Sequence, residues 1–131
     1  MKTTTHGFTI IELIFIIVLA GAASILFFIQ RNNLQVAGRD ETRKTSINAM
    51  YYSIEEVFFK DKGYYPRTIT EAVLPSVDPS LFKDPDGIKI GESSSSYRYE
   101  PYNCTDDKCK SYKLRSTLQN ETDYVKTNRS N

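Results

Sequence analysis

Histidine is almost missing from this chain of 131 residues, since His6 is the single one. Cysteine is nearly as rare, with Cys104 and Cys109 as the only two. Excess charge of either sign is also missing, because 17 Lys and Arg balance 16 Asp and Glu to a net charge of +1. No overall field therefore indicates nucleic acid or acidic substrates as partners. The two cysteines do not form a CxxC redox motif, and zinc would need more soft ligands.

Charge is absent from residues 8–29 as well, except at Glu12. A helix over this run would be roughly 33 Å long, enough to cross a bilayer core. No proline occurs between Phe8 and Tyr65, so we expect one helix to continue to about Asp61. An apolar stripe at helical spacing predicts that its second half packs as core against a sheet: Ile47, Met50, Tyr51, Ile54, Val57 and Phe58.

Residues 63–118 have the pattern of a small head. Gly63 is placed to cap the long helix, and the capping-box pattern at residues 68–71 predicts a short helix that ends at Leu74. Strands are predicted at residues 88–90, 97–100 and 112–118, and the alternating side chains expected to face the helix are Tyr97, Tyr99, Tyr112, Leu114 and Leu118. The predicted fold class is α+β, with a long helix packed against a small antiparallel sheet. Residues 119–131 are polar, and we expect a loose tail there.

The first thirty residues allow three interpretations. A simple membrane anchor needs only an apolar run such as residues 13–29. A secretory signal peptide would use Lys2 as its basic region and residues 20–22 as the cleavage site. That cleavage would leave the oily residues 25–29 near a new N-terminus and would place Glu12 inside the apolar region. The third interpretation is a short polar leader that ends at Gly7.

This third pattern, MKTTTHG followed by FTIIEL, resembles the leader of type IV prepilins and of type II secretion pseudopilins. The resemblance implies that a membrane-bound prepilin peptidase cuts between Gly7 and Phe8 and methylates the new amine of Phe8. It also implies the following divisions: a leader at residues 1–7, a membrane-spanning and assembly half of the helix at 8–30, and an extracytoplasmic half at 31–62. The order of GYYP, a short helix and DPDG in residues 63–118 is similar to pseudopilin heads as well.

The partners that the resemblance implies are the cell membrane, other copies of the chain or sibling pilins, the prepilin peptidase and the assembly machinery. The N-terminus would be cytoplasmic and the head outside, and assembly would carry the chain into an extracytoplasmic filament. We therefore predict a structural subunit of a type IV pilus-like filament. The alternatives are a type II secretion pseudopilin or a competence pilin and, more distantly, a single-pass anchored binding domain.

Glu12 is the residue on which this prediction depends. An acidic side chain within a membrane span is costly and indicates a function by default. Loss of the leader would expose an amine at Phe8, in the same chain or in a neighbouring one, and at about 4 Å and an effective dielectric near 20 it attracts the carboxylate by about 4 kcal/mol before desolvation. Pairing between chains would set their axial stagger. The alternative is that Glu12 reaches back to the headgroups.

The remaining candidate sites are predicted to be structural or solvated. Cys104 and Cys109 flank a hairpin tip, so an oxidising exterior favours a disulfide between them. Four acidic residues could offer oxygens to calcium but match no EF-hand spacing, and we expect turns there instead: Asp84, Asp86, Asp106 and Asp107.

No enzyme activity, cofactor or metal is predicted, because removal of the leader would also remove His6 and with it any histidine-dependent catalysis. DNA is the alternative partner, suggested by basic residues that lie near two tyrosines: Lys108, Lys110, Lys113, Arg115, Lys126 and Arg129. Acidic residues interrupt this set, so a surface of mixed charge is the preferred interpretation.

Overall fold

The structure, a computed structural model, describes residues 7–129 of the chain. The chain divides into two compact units, Met1–Gln35 and Val36–Asn131. Lys2, His6 and the rest of the predicted leader before Gly7 lie outside the described residues. So do the last two residues of the predicted tail.

The first unit is helical from Ile10 onward, where helix α1 (Ile10–Tyr52) begins. Its side chains are exposed throughout residues 7–35, including Phe8, which is 75% exposed, and Ile10, which is 81% exposed. The described part of the chain contains one helix, Ile10–Lys62, that is long and apolar enough to cross a membrane. The predicted apolar helix is therefore present, and no part of its own unit covers it.

In the second unit the helix changes its hydrogen bonding before it ends. A π-helical segment, Ser53–Phe58, follows α1 and leads into helix α2 (Phe59–Lys62). Gly63 then adopts the left-handed conformation with φ 74°, and its N–H donates to the Phe59 carbonyl at 2.8 Å. Glycine suits this position because it has no Cβ to strain the turn. The predicted C-cap is confirmed.

In the part of the chain that the structure describes, four antiparallel strands form the sheet: β1 (Tyr65–Pro66), β2 (Tyr97–Thr105), β3 (Lys108–Ser116) and β4 (Tyr124–Thr127). Strand β3 is central. One of its edges pairs with β2 along its length, and it also pairs with β1 at Lys108 and Cys109 and with β4 from Lys113 to Ser116. A 3₁₀ helix, Pro79–Phe82, lies in the long connection between β1 and β2 and is capped by Asp78.

The core of the second unit lies between the helix and one face of this sheet. Ile47, Met50 and Ile54 are fully buried on the helix side. The tyrosine and leucine positions predicted to face them do so, with Tyr97, Tyr112, Leu114 and Leu118 buried and Tyr99 half-buried. The α+β fold class, a long N-terminal helix packed on a small antiparallel sheet, is confirmed.

Three local predictions outside the long helix are wrong. The expected helix that ends at Leu74 is a single turn, in which the Val73 and Leu74 N–H groups donate to the Thr70 carbonyl. The expected strand at residues 88–90 is an isolated bridge from Lys83 to Lys89. The residues predicted as a loose tail contain β4. The backbone of β4 forms hydrogen bonds with the edge of β3 that does not pair with β2.

Val57, predicted to lie in the apolar stripe, is instead 48% exposed. The cause is the π-helical segment, whose i→i+5 bonds place an extra residue in the turn and rotate Val57 away from the core.

Candidate functional site

The first turn of the apolar helix is closed by two residues that hydrogen-bond to each other. The Thr9 N–H donates to Glu12 Oε2 at 3.5 Å, and the Glu12 N–H donates to Thr9 Oγ1 at 3.3 Å. The Leu13 N–H donates to the Thr9 carbonyl at 3.1 Å, which is the first bond of the helix. This reciprocal arrangement is a capping box. The T-x-x-E pattern in the sequence is the signal that could have predicted it.

The capping box brings the predicted site residues together at the helix start. Gly7 and Phe8 are exposed and immediately precede Thr9, and Glu12 lies in the first turn. The positive end of the helix dipole favours a carboxylate at this position. A cut between Gly7 and Phe8 would leave the capping box intact, because both of its members lie after the cut.

The disulfide predicted between Cys104 and Cys109 is present. The two residues are direct partners across the β2–β3 hairpin, and Cys109 is almost fully buried. Two residues near the tip, Asn103 and Asp106, adopt a left-handed backbone with φ 53° each. The disulfide therefore fixes a hairpin end whose backbone is irregular.

Sequence reasoning missed a buried acid in the second unit, Glu55, which is 4% exposed. Its Oε1 accepts hydrogen bonds from the Tyr112 hydroxyl at 2.8 Å and from the Arg129 N–H at 3.3 Å, while Oε2 accepts from the Tyr65 hydroxyl at 3.3 Å. Burial, together with the nearby Glu55 carboxylate, raises the pKa of Tyr65 to about 12 and raises the pKa of Tyr112 as well. Both phenols therefore remain protonated donors, and this enclosed cluster joins the helix to the sheet.

A second buried acid, Asp40, joins the helix to the segment between β3 and β4. Its carboxylate accepts from Arg43 Nη1 at 2.8 Å, from the Gln119 N–H at 3.0 and 3.1 Å, and from the Asn120 N–H at 3.1 Å. Burial raises the pKa of Asp40, but these donors outweigh burial and hold it below its usual value. Arg43 is also 3.8 Å from Asp86.

Among the acidic residues considered for calcium, Asp84 serves as a hydrogen-bond acceptor for its own loop. Asp84 Oδ1 accepts from the Asp86 and Ile88 N–H groups at 3.0 Å, and Oδ2 accepts from the Ser96 N–H at 2.9 Å. Both oxygens of Asp84 thus already accept hydrogen bonds. A cation could bind them only if these bonds broke and the loop opened. Within residues 7–129, no group of three or more His, Cys, Asp or Glu side chains is arranged to hold a metal ion.

Two of the basic residues considered for DNA are paired with acidic side chains. Arg115 pairs with Glu100 at 3.1 Å and with Asp123 at 3.0 Å, and Arg129 pairs with Glu56. Lys108 and Lys110 instead line a concavity of about 610 Å³ beside the hairpin tip.

Comparison with protein-family models, with curated proteins and with solved structures finds no match to this chain. The class of protein is therefore defined by its own structure. Over residues 7–129 it is an α+β chain with a disulfide and one helix that is apolar and long enough to span a membrane.

Proposed function

We propose that this chain is a structural, non-enzymatic subunit of a type IV pilus-like extracytoplasmic filament, processed by a prepilin peptidase between Gly7 and Phe8. In this proposal the chain first spans the cell membrane with its head outside. It then joins other copies or sibling pilins through the apolar helix, with the help of the assembly machinery. The sequence resemblance at residues 7–13 supports the proposal, and so does the geometry of the helix start.

The observation that carries the proposal is the position of Glu12. It is the one charged residue in an exposed apolar run, and it lies in the first turn of the helix. A lone membrane anchor gains nothing from a buried carboxylate, whose insertion costs free energy. A subunit that pairs this carboxylate with the amine of another chain recovers part of that cost.

The capping box gives this pairing a defined geometry. Thr9 holds Glu12 Oε2 at the helix start, and within the described residues Oε1 has no hydrogen-bond partner. Oε1 is therefore available to the Phe8 amine of a neighbouring helix. A bundle of such helices would bury the apolar side chains that are exposed on the isolated one.

The mature N-terminus tests processing. Mass analysis of the chain from membranes of its own host is expected to show loss of residues 1–7 and one added methyl group on Phe8. Gly7→Leu is expected to block the cut without disturbing the fold, because no heavy atom of the described residues, its chain neighbours apart, lies within 4 Å of a Cβ placed at Gly7. A retained Met1 in the native protein would overturn the filament proposal and would favour a single-pass anchored binding domain.

Three variants separate the charge of Glu12 from its capping role. Glu12→Ala removes both, and we expect membrane insertion without filaments. Glu12→Gln keeps the capping box, since Gln can replace Glu at this position, but removes the charge. Thr9→Ala keeps the charge and removes the hydroxyl that accepts from the Glu12 N–H, while the backbone N–H of residue 9 can still donate to Glu12. Loss of filaments in Glu12→Gln, with a milder defect in Thr9→Ala, would support charge pairing; normal filaments in Glu12→Gln would refute it.

Isolation of the filament distinguishes the related alternatives. A long surface fibre that contains this chain would indicate a pilus. Loss of protein secretion or of DNA uptake on deletion of the gene would indicate a secretion pseudopilin or a competence pilin, respectively.

A further inference from the structure

The concavity beside the hairpin tip is a gap in the sheet. One edge of β3 is covered by β1 at Lys108 and Cys109 and by β4 from Lys113 onward. Between them, at Lys110 and Ser111, no strand pairs with that edge within the described part of the chain. We call this gap the edge notch. Its volume of about 610 Å³ is in the range of small-molecule sites.

The edge notch is positively charged. Lys108 and Lys110 are both exposed on its wall, and neither forms an ion pair with a carboxylate among residues 7–129. The described lining contains no Asp or Glu. The third basic residue of the lining, Arg129, is already paired with Glu56. Two ammonium groups that no carboxylate of the described residues neutralises favour an anionic ligand.

The rest of the lining suits a ring that carries hydroxyl groups. The aromatic ring of Tyr64 forms part of the wall, and Lys108 Nζ lies 5.3 Å from its centroid. Amide and hydroxyl side chains are contributed by Asn103, Ser111 and Asn128. Asn103 Nδ2 is 3.4 Å from Ser111 Oγ, a long hydrogen bond that a ligand hydroxyl could replace.

The edge notch is also pre-organised. The disulfide joins β2 and β3 beside the edge notch. A ligand therefore loses less binding free energy to the ordering of these strands. An aromatic face beside amides and lysines can hold the apolar face of a sugar ring, its hydroxyls and an attached acid at the same time.

We propose that the edge notch binds an acidic sugar, a pyranose unit that carries a carboxylate or a phosphate. Lys108 and Lys110 would bind the acid, and Tyr64 would contact the ring. This inference does not depend on the filament proposal, since the notch lies entirely within Val36–Asn131.

Titration of the full chain, in a detergent that contains neither sugar nor phosphate, tests the proposal. Glucuronate and glucose 6-phosphate are the two probes, with glucose, inorganic phosphate and a thymidine oligonucleotide as comparisons. We expect both acidic sugars to bind at least tenfold more tightly than glucose or free phosphate. Binding by only one of them would identify the acid that is recognised.

Matched variants assign the binding to the notch. Lys108→Ala and Lys110→Ala are each expected to weaken acidic-sugar binding about tenfold, since each removes a charge-assisted contact. Lys108→Arg should retain most of it. Lys83→Ala, an exposed lysine that does not line the notch, should leave it unchanged.

Three results would overturn the proposal. The first is failure of both acidic sugars to bind. The second is equal binding of inorganic phosphate, which would mean that the ring is not recognised. The third is tighter binding of the oligonucleotide than of either sugar, which would assign the notch to nucleic acid. None of these outcomes bears on whether residues 1–7 are removed.

Discussion

Replacement of Asp40 by Asn removes the charge from a buried carboxylate but keeps its shape. The side chains of Asp40 and Arg43 are 3% and 4% exposed, so the substitution leaves a buried guanidinium with a neutral amide in place of its charged partner at 2.8 Å. Breaking a buried pair costs about 3–5 kcal/mol. Arg43 retains Asp86 at 3.8 Å, and the Asn oxygen can still accept from the Gln119 N–H, so we expect a cost near the lower limit, about 3 kcal/mol.

A thermal melt of the full chain in detergent, followed by near-ultraviolet circular dichroism of its tyrosines, measures this loss. For a unit of about 100 residues, 3 kcal/mol corresponds to a decrease in Tm of about 12–24 °C. The matched control is Glu41→Gln, which removes the same charge from the next, exposed position and should change stability by less than about 0.5 kcal/mol. A loss below about 1 kcal/mol in Asp40→Asn would refute the assignment of Asp40 as the link between the helix and the β3–β4 segment.

The pH dependence of the same melt gives an independent test. Because the folded state lowers the pKa of Asp40, it favours the ionised carboxylate relative to the unfolded chain. The resulting stability is present above the usual pKa of 3.8 and is lost as the pH falls through the lower, folded-state pKa. We expect the native Tm to fall as the pH is lowered below about 5, and to fall less steeply in Asp40→Asn. Parallel curves would contradict this.

Three further substitutions test the other contacts. Asp84→Ala is expected to cost about 2 kcal/mol and to speed hydrogen exchange at the Ser96 amide, which would lose its acceptor; unchanged exchange would contradict the role of Asp84 in the loop. Tyr112→Phe removes the 2.8 Å donor to the buried Glu55 carboxylate and should destabilise the unit by about 1.5–3 kcal/mol in a urea titration, whereas a neutral effect would mean that Glu55 is satisfied without it. Cys104→Ser opens a short loop and should cost about 2 kcal/mol relative to the oxidised native chain, and the reduced native chain, as the control, should melt at the same temperature as the variant.

Much of the fold follows from patterns that are local in the sequence. The spacing of Ile47, Met50 and Ile54 predicts the buried helix face, and the alternation of Tyr112 and Leu114 predicts the inward face of β3. The cap at Gly63 also depends only on local backbone geometry. These features are predictable because each is determined by residues within one or two turns of the chain.

The remaining features depend on contacts between residues that are distant in sequence. Strand β4 has no fully buried side chain, so its sequence shows no alternation of apolar residues that would predict a strand. It forms because it can pair with the free edge of β3. Glu55 carries no apolar signal, and its burial depends on Tyr65 and Tyr112 of the sheet, which donate hydrogen bonds to its carboxylate. The edge notch likewise forms only where two strands on one edge fail to meet.

The π-helical segment has a practical consequence for anyone who redesigns this helix. The π-helical segment adds about one residue to the turn. Side chains after Phe58 are therefore rotated by about 100° about the helix axis relative to the pattern that holds before Ser53. A designer who extends the buried face from Ile54 by three residues reaches Val57, which is exposed, whereas Phe58 and Phe59 pack against the core. The helical spacing of core-facing positions has to be counted anew from Phe59.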